Sequence, residues 1–220
     1  MNKLLSIFAV AVIALASCKS APKADEAKTS EEQQAASTEG VAYKIDSTQV
    51  VNFIGTKPVG QHNGTFNVIE GNIVVQNGTA VTGGKLTLDM TSLKITDKDT
   101  AGSYKLAGHL ASPDFFEVSK FPTATFEITD VLPYSADSTK PALILDGATH
   151  TVSGNLTLKG VTKNVTFPAI VNATDNVVTA KANFNINRTD WGLVYNNDKS
   201  LGDKFIRPEV NISFSLSANK

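Results

Sequence analysis

The sequence predicts an all-β fold: an antiparallel sheet of about eight strands closed around one interior, with a short lid helix near residues 112–118. Three observations predict it. At least six segments alternate apolar and polar residues with the period of two that a one-sided strand requires. Asn63-Gly64, Asn77-Gly78 and Lys159-Gly160 read as tight turns between such segments. One clear helix start stands among them, Ser112-Pro113-Asp114, a capping residue followed by proline and an acid.

In chain order, Val51-Asn52-Phe53-Ile54 opens the β pattern, and residues 65–75 continue it with a bend at Gly71. Residues 85–90 set Leu86, Leu88 and Met90 on one face and Lys85, Thr87 and Asp89 on the other. Residues 91–108 read as a long polar loop leading to the lid. There Phe115, Phe116 and Val118 follow the helix start, too many large apolar residues for so short a piece to bury alone. Pro122 ends any helix, and Ala124, Phe126 and Ile128 then line one face of a strand. Residues 132–151 form a proline-containing excursion read as a hairpin extension. Val152, Leu156 and Leu158 face inward, with Gly154 as a bend or bulge. Val165 and Phe167 follow. Ala180, Ala182, Phe184 and Ile186 mark the next strand, and Val210, Ile212, Phe214 and Leu216 the last.

Residues before Val41 do not belong to this pattern. Lys3, the apolar run 4–16 and the ending Leu15-Ala16-Ser17-Cys18 read as a bacterial lipoprotein signal, 1–17, with Cys18 as the lipidated residue. An ordinary secretory signal and a short membrane anchor are the alternatives. Cys18 is the only cysteine, so no intramolecular disulfide can form. Residues 18–40 carry no aromatic or large aliphatic side chain and read as a lipidated cysteine followed by a disordered tether, about 25 Å in typical span. The expected folded domain is 41–220. This predicts a cell-envelope protein anchored in a membrane by lipid. Lys19 in place of an acidic residue points to the outer membrane, facing the periplasm.

Charge and motifs exclude several functions. A formal net charge of −1 advertises no nucleic-acid surface. Thr, Asn, Ser and Lys on the outward face are residues of a soluble sheet, unlike an outer-membrane barrel. HExxH, CxxC, Gly-x-Ser-x-Gly and P-loop patterns are missing. Neither a cofactor nor a metal is expected. His62 and His109 read either as a pair at one barrel mouth, touching a polar head group, or as ordinary mouth-lining histidines. Arg188 reads as a head-group ligand or as a structural clip, and Trp191 as a barrel stopper or a pocket wall. The inward set of Phe53, Phe66, Leu88, Phe126, Phe167, Phe184 and Phe214, with the lid residues Phe115 and Phe116, describes either a packed core or the lining of a ligand tunnel. On residues alone the balance tips slightly toward packing.

Taken together, His62-Asn63-Gly64-Thr65, Leu88-Asp89-Met90-Thr91-Ser92-Leu93, His109-Leu110 with Ser112-Pro113-Asp114-Phe115-Phe116, Lys120-Phe121-Pro122-Thr123-Ala124-Thr125-Phe126, residues 154–163 and Asn187-Arg188-Thr189-Asp190-Trp191-Gly192 resemble the YceI-like family over residues 43–218. The resemblance implies a lipocalin-like barrel with a lid and a long apolar tunnel. Its partner would be a long-chain isoprenoid or acyl lipid with its head at the mouth. Many relatives carry Arg-Asp where this chain reads Ala107-Gly108, which implies a neutral head group such as a quinone, amide or alcohol. An enzyme acting on an isoprenoid lipid through His62 or His109, neither evidently paired with a carboxylate, and a filled-barrel structural lipoprotein remain as alternatives. Oligomeric state stays open, a homodimer included.

Overall fold

The computed structural model describes residues 22–135 and 143–220. The signal segment, Cys18 and the middle of the 132–151 excursion lie outside the described residues. The described chain forms β1 (Asp25–Glu26), β2 (Lys28–Ser30), β3 (Val41–Ile45), β4 (Val50–Lys57), β5 (Gly60–Gln76), β6 (Ala80–Ile95), α1 (Thr100–Ala111), β7 (Thr123–Pro133), β8 (His150–Leu158), β9 (Val161–Ala173), β10 (Val177–Asn187) and β11 (Glu209–Asn219). Strands β4 to β11 pair antiparallel in sequence order, and β11 returns to pair with β4. Eight staves therefore close into a barrel, which removes the exposed sheet edges. β3 and β4 share one stave between β11 and β5. At their break the Gln49 amide exchanges hydrogen bonds with the main chain of Ser217, standing in for the missing ladder.

Turn chemistry explains the register at two corners. Asn77 (φ 51°) and Gly78 (φ 80°), and likewise Lys159 (φ 47°) and Gly160 (φ 75°), adopt the left-handed pairs that tight hairpins need. Asn63-Gly64 is not a turn. It lies inside β5, and the corner is Pro58-Val59, between paired Lys57 and Gly60. Gly64 is required for another reason: a Cβ there would come within 2.4 Å of the Phe53 ring. Gly154 plays the same part beneath Phe126, whose ring would lie 2.2 Å from such a Cβ. These two rings thus pack closely on the backbone of their neighbouring strands.

Two expectations are overturned. The helix runs over Thr100–Ala111, capped by Asp99, whose carboxylate accepts from Gly102 N. Ser112 stands at its C-terminal end, where its hydroxyl donates to the His109 carbonyl. Phe116 N donates to Leu110 O and Val118 N to Ala111 O, so residues 112–118 form a turn that wraps the helix end. The cap signal at Ser112 was thus a C-terminal one. Residues 22–40, expected as disordered tether, instead run as a strap over the barrel. β9 and β10 pair only through residues 169–173 and 178–182. Beyond that they part, and β1 and β2 fill the gap, bonded to β10 and β9 respectively. The strap then crosses β8 and β7, where Asn155 bonds both main-chain groups of Gln33 and Ala36 N donates to Ile128 O. What holds this polar segment is a belt of asparagines on the outer wall. Asn155, Asn164, Asn185 and Asn211 are all buried, and all are hydrogen-bonded to the strap or to one another.

Candidate functional site: a lidded apolar cavity

The interior holds a cavity of about 660 Å³, within the range of small-molecule sites. Phe53, Phe66, Leu88, Phe126, Phe167, Phe184 and Phe214 all border it, as do the lid residues Phe115 and Phe116. The aromatic wall is braced by ring contacts: Phe167 stacks on Phe184 at 4.0 Å, and Phe214 meets both edge-on. The two ends differ. At the far end Tyr43, Ile45, Val75, Val178, Leu216 and Ala218 pack together, and the Tyr43 hydroxyl donates to the carbonyls of Thr174 and Asp175. The cavity lining reaches Ile45 and Leu216 of this cluster. At the other end α1 lies over the opening, with Leu106, His109 and Leu110 toward the cavity. Phe116 meets Phe66 edge-on at 5.5 Å, which seats the lid on the barrel.

Asn72 and Lys85 border the cavity in its far half, and other polar groups stand at the lid end. His62 Nδ1 lies 2.6 Å from Asp97 Oδ2, and Asp97 also accepts from Asn63 N and Nδ2. Burial raises the Asp97 carboxyl. The bonds from His62 and Asn63 and the His62 charge outweigh it, holding the pKa below the ordinary carboxylate value. His109 Nε2 lies 3.0 Å from Asp114 Oδ2, and the His109 ring packs edge-on against Phe115 and Tyr195. Both histidines border the cavity, and each has a carboxylate partner that the sequence did not reveal. Among the described residues neither ring is bonded to a hydroxyl or thiol, and no group of three metal-binding side chains occurs. Thr56 borders the same space, and its hydroxyl is buried without a hydrogen-bond partner.

Two predicted site residues have other work. Trp191 is fully buried, does not border the cavity, and donates from Nε1 to Leu156 O. Arg188 does border it, but its guanidinium is committed to the main chain. It donates to the carbonyls of Leu193, Tyr195, Ile206 and Arg207. Burial lowers its pKa, and Glu209 offsets this in part. Arg188 serves as a clip on main-chain carbonyls and not on a carboxylate: it ties down the loop 193–207, whose Leu193, Tyr195, Asn196 and Ile206 form part of the cavity rim.

A closed eight-stranded antiparallel barrel with a helical lid and an apolar lumen belongs to the lipocalin-like class of architectures. The chain belongs to the YceI-like family, whose domain profile matches residues 43–218. A UPF0312 protein of Pseudomonas aeruginosa is 48% identical over 61 residues, 28% of this chain and 26% of that protein. One from Pseudomonas putida is 30% identical over 137 residues, 60% of this chain and 63% of that protein. The match thus spans about a quarter of the first relative's length. Among solved structures, BcnA of Burkholderia cenocepacia superposes with a TM-score of 0.58 at 21% identity, covering 78% of this chain and 96% of that one. A polyisoprenoid binding domain from Saccharophagus degradans gives 0.57 at 19% identity, covering 80% and 97%. At these identities the two structures show a shared fold.

Proposed function

We propose that this protein is a lipid-anchored envelope protein that binds the long chain of an isoprenoid, quinone or fatty-acid derivative inside its barrel, for carriage or storage. The observation that carries this reading is the 660 Å³ apolar cavity beneath the lid. Burying a hydrocarbon chain there contributes about 0.8 kcal/mol per methylene, so tight binding needs few polar contacts. The polyisoprenoid binding named for the Saccharophagus neighbour accords with it. At the mouth, His62, His109 and the unpartnered Thr56 hydroxyl would face the head group. Each can donate or accept a hydrogen bond, which suits a neutral quinone, amide or alcohol. Binding is favoured over catalysis because the two histidine–carboxylate pairs have no bonded nucleophile among the described residues. Lipidation of Cys18 and placement on the periplasmic face of the outer membrane complete the proposal.

Native mass spectrometry of the detergent-free protein tests it. Wild type is expected to carry a co-purifying apolar mass. The variant Gly55→Phe is expected to lose it and stay folded, because Gly55 borders the cavity and a Cβ there meets nothing within 4 Å. An empty wild type that also fails to take up an apolar fluorophore would sink the carrier reading. Labelling with a radioactive fatty acid, abolished in Cys18→Ala, checks the anchor. Equal affinity for a polyprenyl pyrophosphate and its alcohol would rule out the neutral-head preference.

A further inference from the structure

We propose that the lid end of the barrel is a docking surface for a lipid bilayer. Cargo would thus pass between membrane and cavity without crossing water. Three separate elements meet at this end. The Pro58-Val59 corner follows Lys57, which borders the cavity. α1 covers the opening, and the loop 193–207 forms the rim between them, joined to β4 through Arg207 N and Thr56 O and to α1 through Tyr195 and His109. Each element presents a large apolar side chain outward: Val59 is 68% exposed, Tyr104 82%, Val194 53% and Leu201 41%. Tyr104 lies about 200° around the helix from the cavity-facing Leu106, so it points away from the lumen. Exposed apolar residues on three unconnected pieces of chain, ringing one opening, need a common explanation.

Lys98, Lys105, Lys199 and Lys204 stand exposed among these residues. Carboxylates stand beside them: Asp97 bonded to His62, Asp114 to His109, Asp99 capping α1, Asp198 capping the 3-10 turn Lys199–Lys204, and Asp203 exposed beside Lys204. A rim of exposed apolar and tyrosine side chains interleaved with charges of both signs fits the interface of a lipid bilayer.

The path of the chain gives an independent argument. The described chain begins at Pro22, whose carbonyl accepts from Asn185, two residues from the lid end of β10. Four residue steps separate Pro22 from Cys18, about 14 Å at full extension. An acyl chain on Cys18 would therefore hold the lid end close to the membrane. This last argument rests on the lipidation proposed above; the exposed rim does not.

The test uses the chain from Lys19 onward, which keeps every described residue and cannot be anchored. Co-flotation with vesicles of 3:1 phosphatidylethanolamine and phosphatidylglycerol should be clear for wild type. Val59→Ser/Tyr104→Ser/Leu201→Ser should reduce it at least about tenfold with an unchanged thermal midpoint. The control Val41→Ser/Ile69→Ser/Leu132→Ser, exposed residues elsewhere on the barrel, should leave it intact. In a Tyr104→Trp variant, vesicles should shift the indole emission to the blue. Absence of vesicle binding or equal loss in the control overturns the docking surface. A protein that fails to dock but still carries apolar cargo loses only this inference. One that docks but holds no cargo loses the carrier reading instead.

Discussion

Arg188 shows how a charged residue beside a ligand cavity can be structural. A guanidinium offers five N–H donors in a fixed fork, and here the fork is turned onto the carbonyls of Leu193, Tyr195, Ile206 and Arg207. From sequence alone Arg188 could equally bind a phosphate, because the carbonyls it meets come from main chain up to 19 residues away. Arg188→Met should cost about 3 kcal/mol or more by leaving these groups unpaired in a buried site. Both thermal midpoint and cargo retention should fall together; normal stability with lost binding would restore it as a head-group ligand. Asp97 supports a second prediction. Its side chain is 19% exposed and holds His62 and Asn63. Because its folded pKa lies below the unfolded one, its contribution is complete above the ordinary carboxylate value, about 4. That contribution drains away as pH falls through the lowered folded value. Asp97→Asn should be less stable than wild type at pH 7, on the order of 1 kcal/mol. The two melting curves should converge below pH 4. A gap that persists in acid would assign Asp97 a role other than accepting these bonds.

At the scale of elements, the strands were legible and the strap and helix were not. Period-two alternation identifies a strand locally, since it needs only one buried face. The helix hid because Thr100, Gly102 and Gly108 lower its propensity and only Leu106 and Leu110 mark its inner face, while the stronger signal at Ser112 belonged to its end. The strap hid for a different reason. Composition says whether a segment can bury a core of its own, and this one cannot. It is ordered by main-chain hydrogen bonds to asparagines more than a hundred residues away, such as Asn155 to Gln33. Asparagine is depleted in strands, so four of them on outer-wall strand positions were the available clue. Asn155→Ala should release the strap: trypsin should cut at Lys23 and Lys28 several times faster, with stability lower by about 1–3 kcal/mol. Unchanged cleavage would mean that the β1 and β2 ladders hold the strap unaided.

For the molecule as a whole, the asymmetry of the two ends decides how cargo moves. At the far end a continuous cluster packs around Tyr43, whose hydroxyl is tied to the β9–β10 turn. Opening it would expose buried aliphatic side chains and break staves of the barrel itself. The lid end is closed by one helix of 12 residues, a wrapped turn and a loop, held to one another by ring contacts and the Arg188 clip. Segments with few ladder bonds open at lower free energy than strands paired on both sides. Cargo should therefore enter and leave past α1, and bound cargo should stabilise that region most, through contacts with Leu106, Leu110, Phe115 and Phe116. Hydrogen exchange on delipidated and loaded protein reads this directly. Without cargo, amides of 100–121 and 193–207 should exchange well before those of β8, β9 and β11. On loading, protection should rise in those two segments by roughly tenfold or more, as linkage requires when ligand exceeds its dissociation constant, and stay flat at the 77–78 and 174–177 turns. Protection appearing at those far-end turns instead would place the entrance at the opposite pole and leave the lid as a fixed plug.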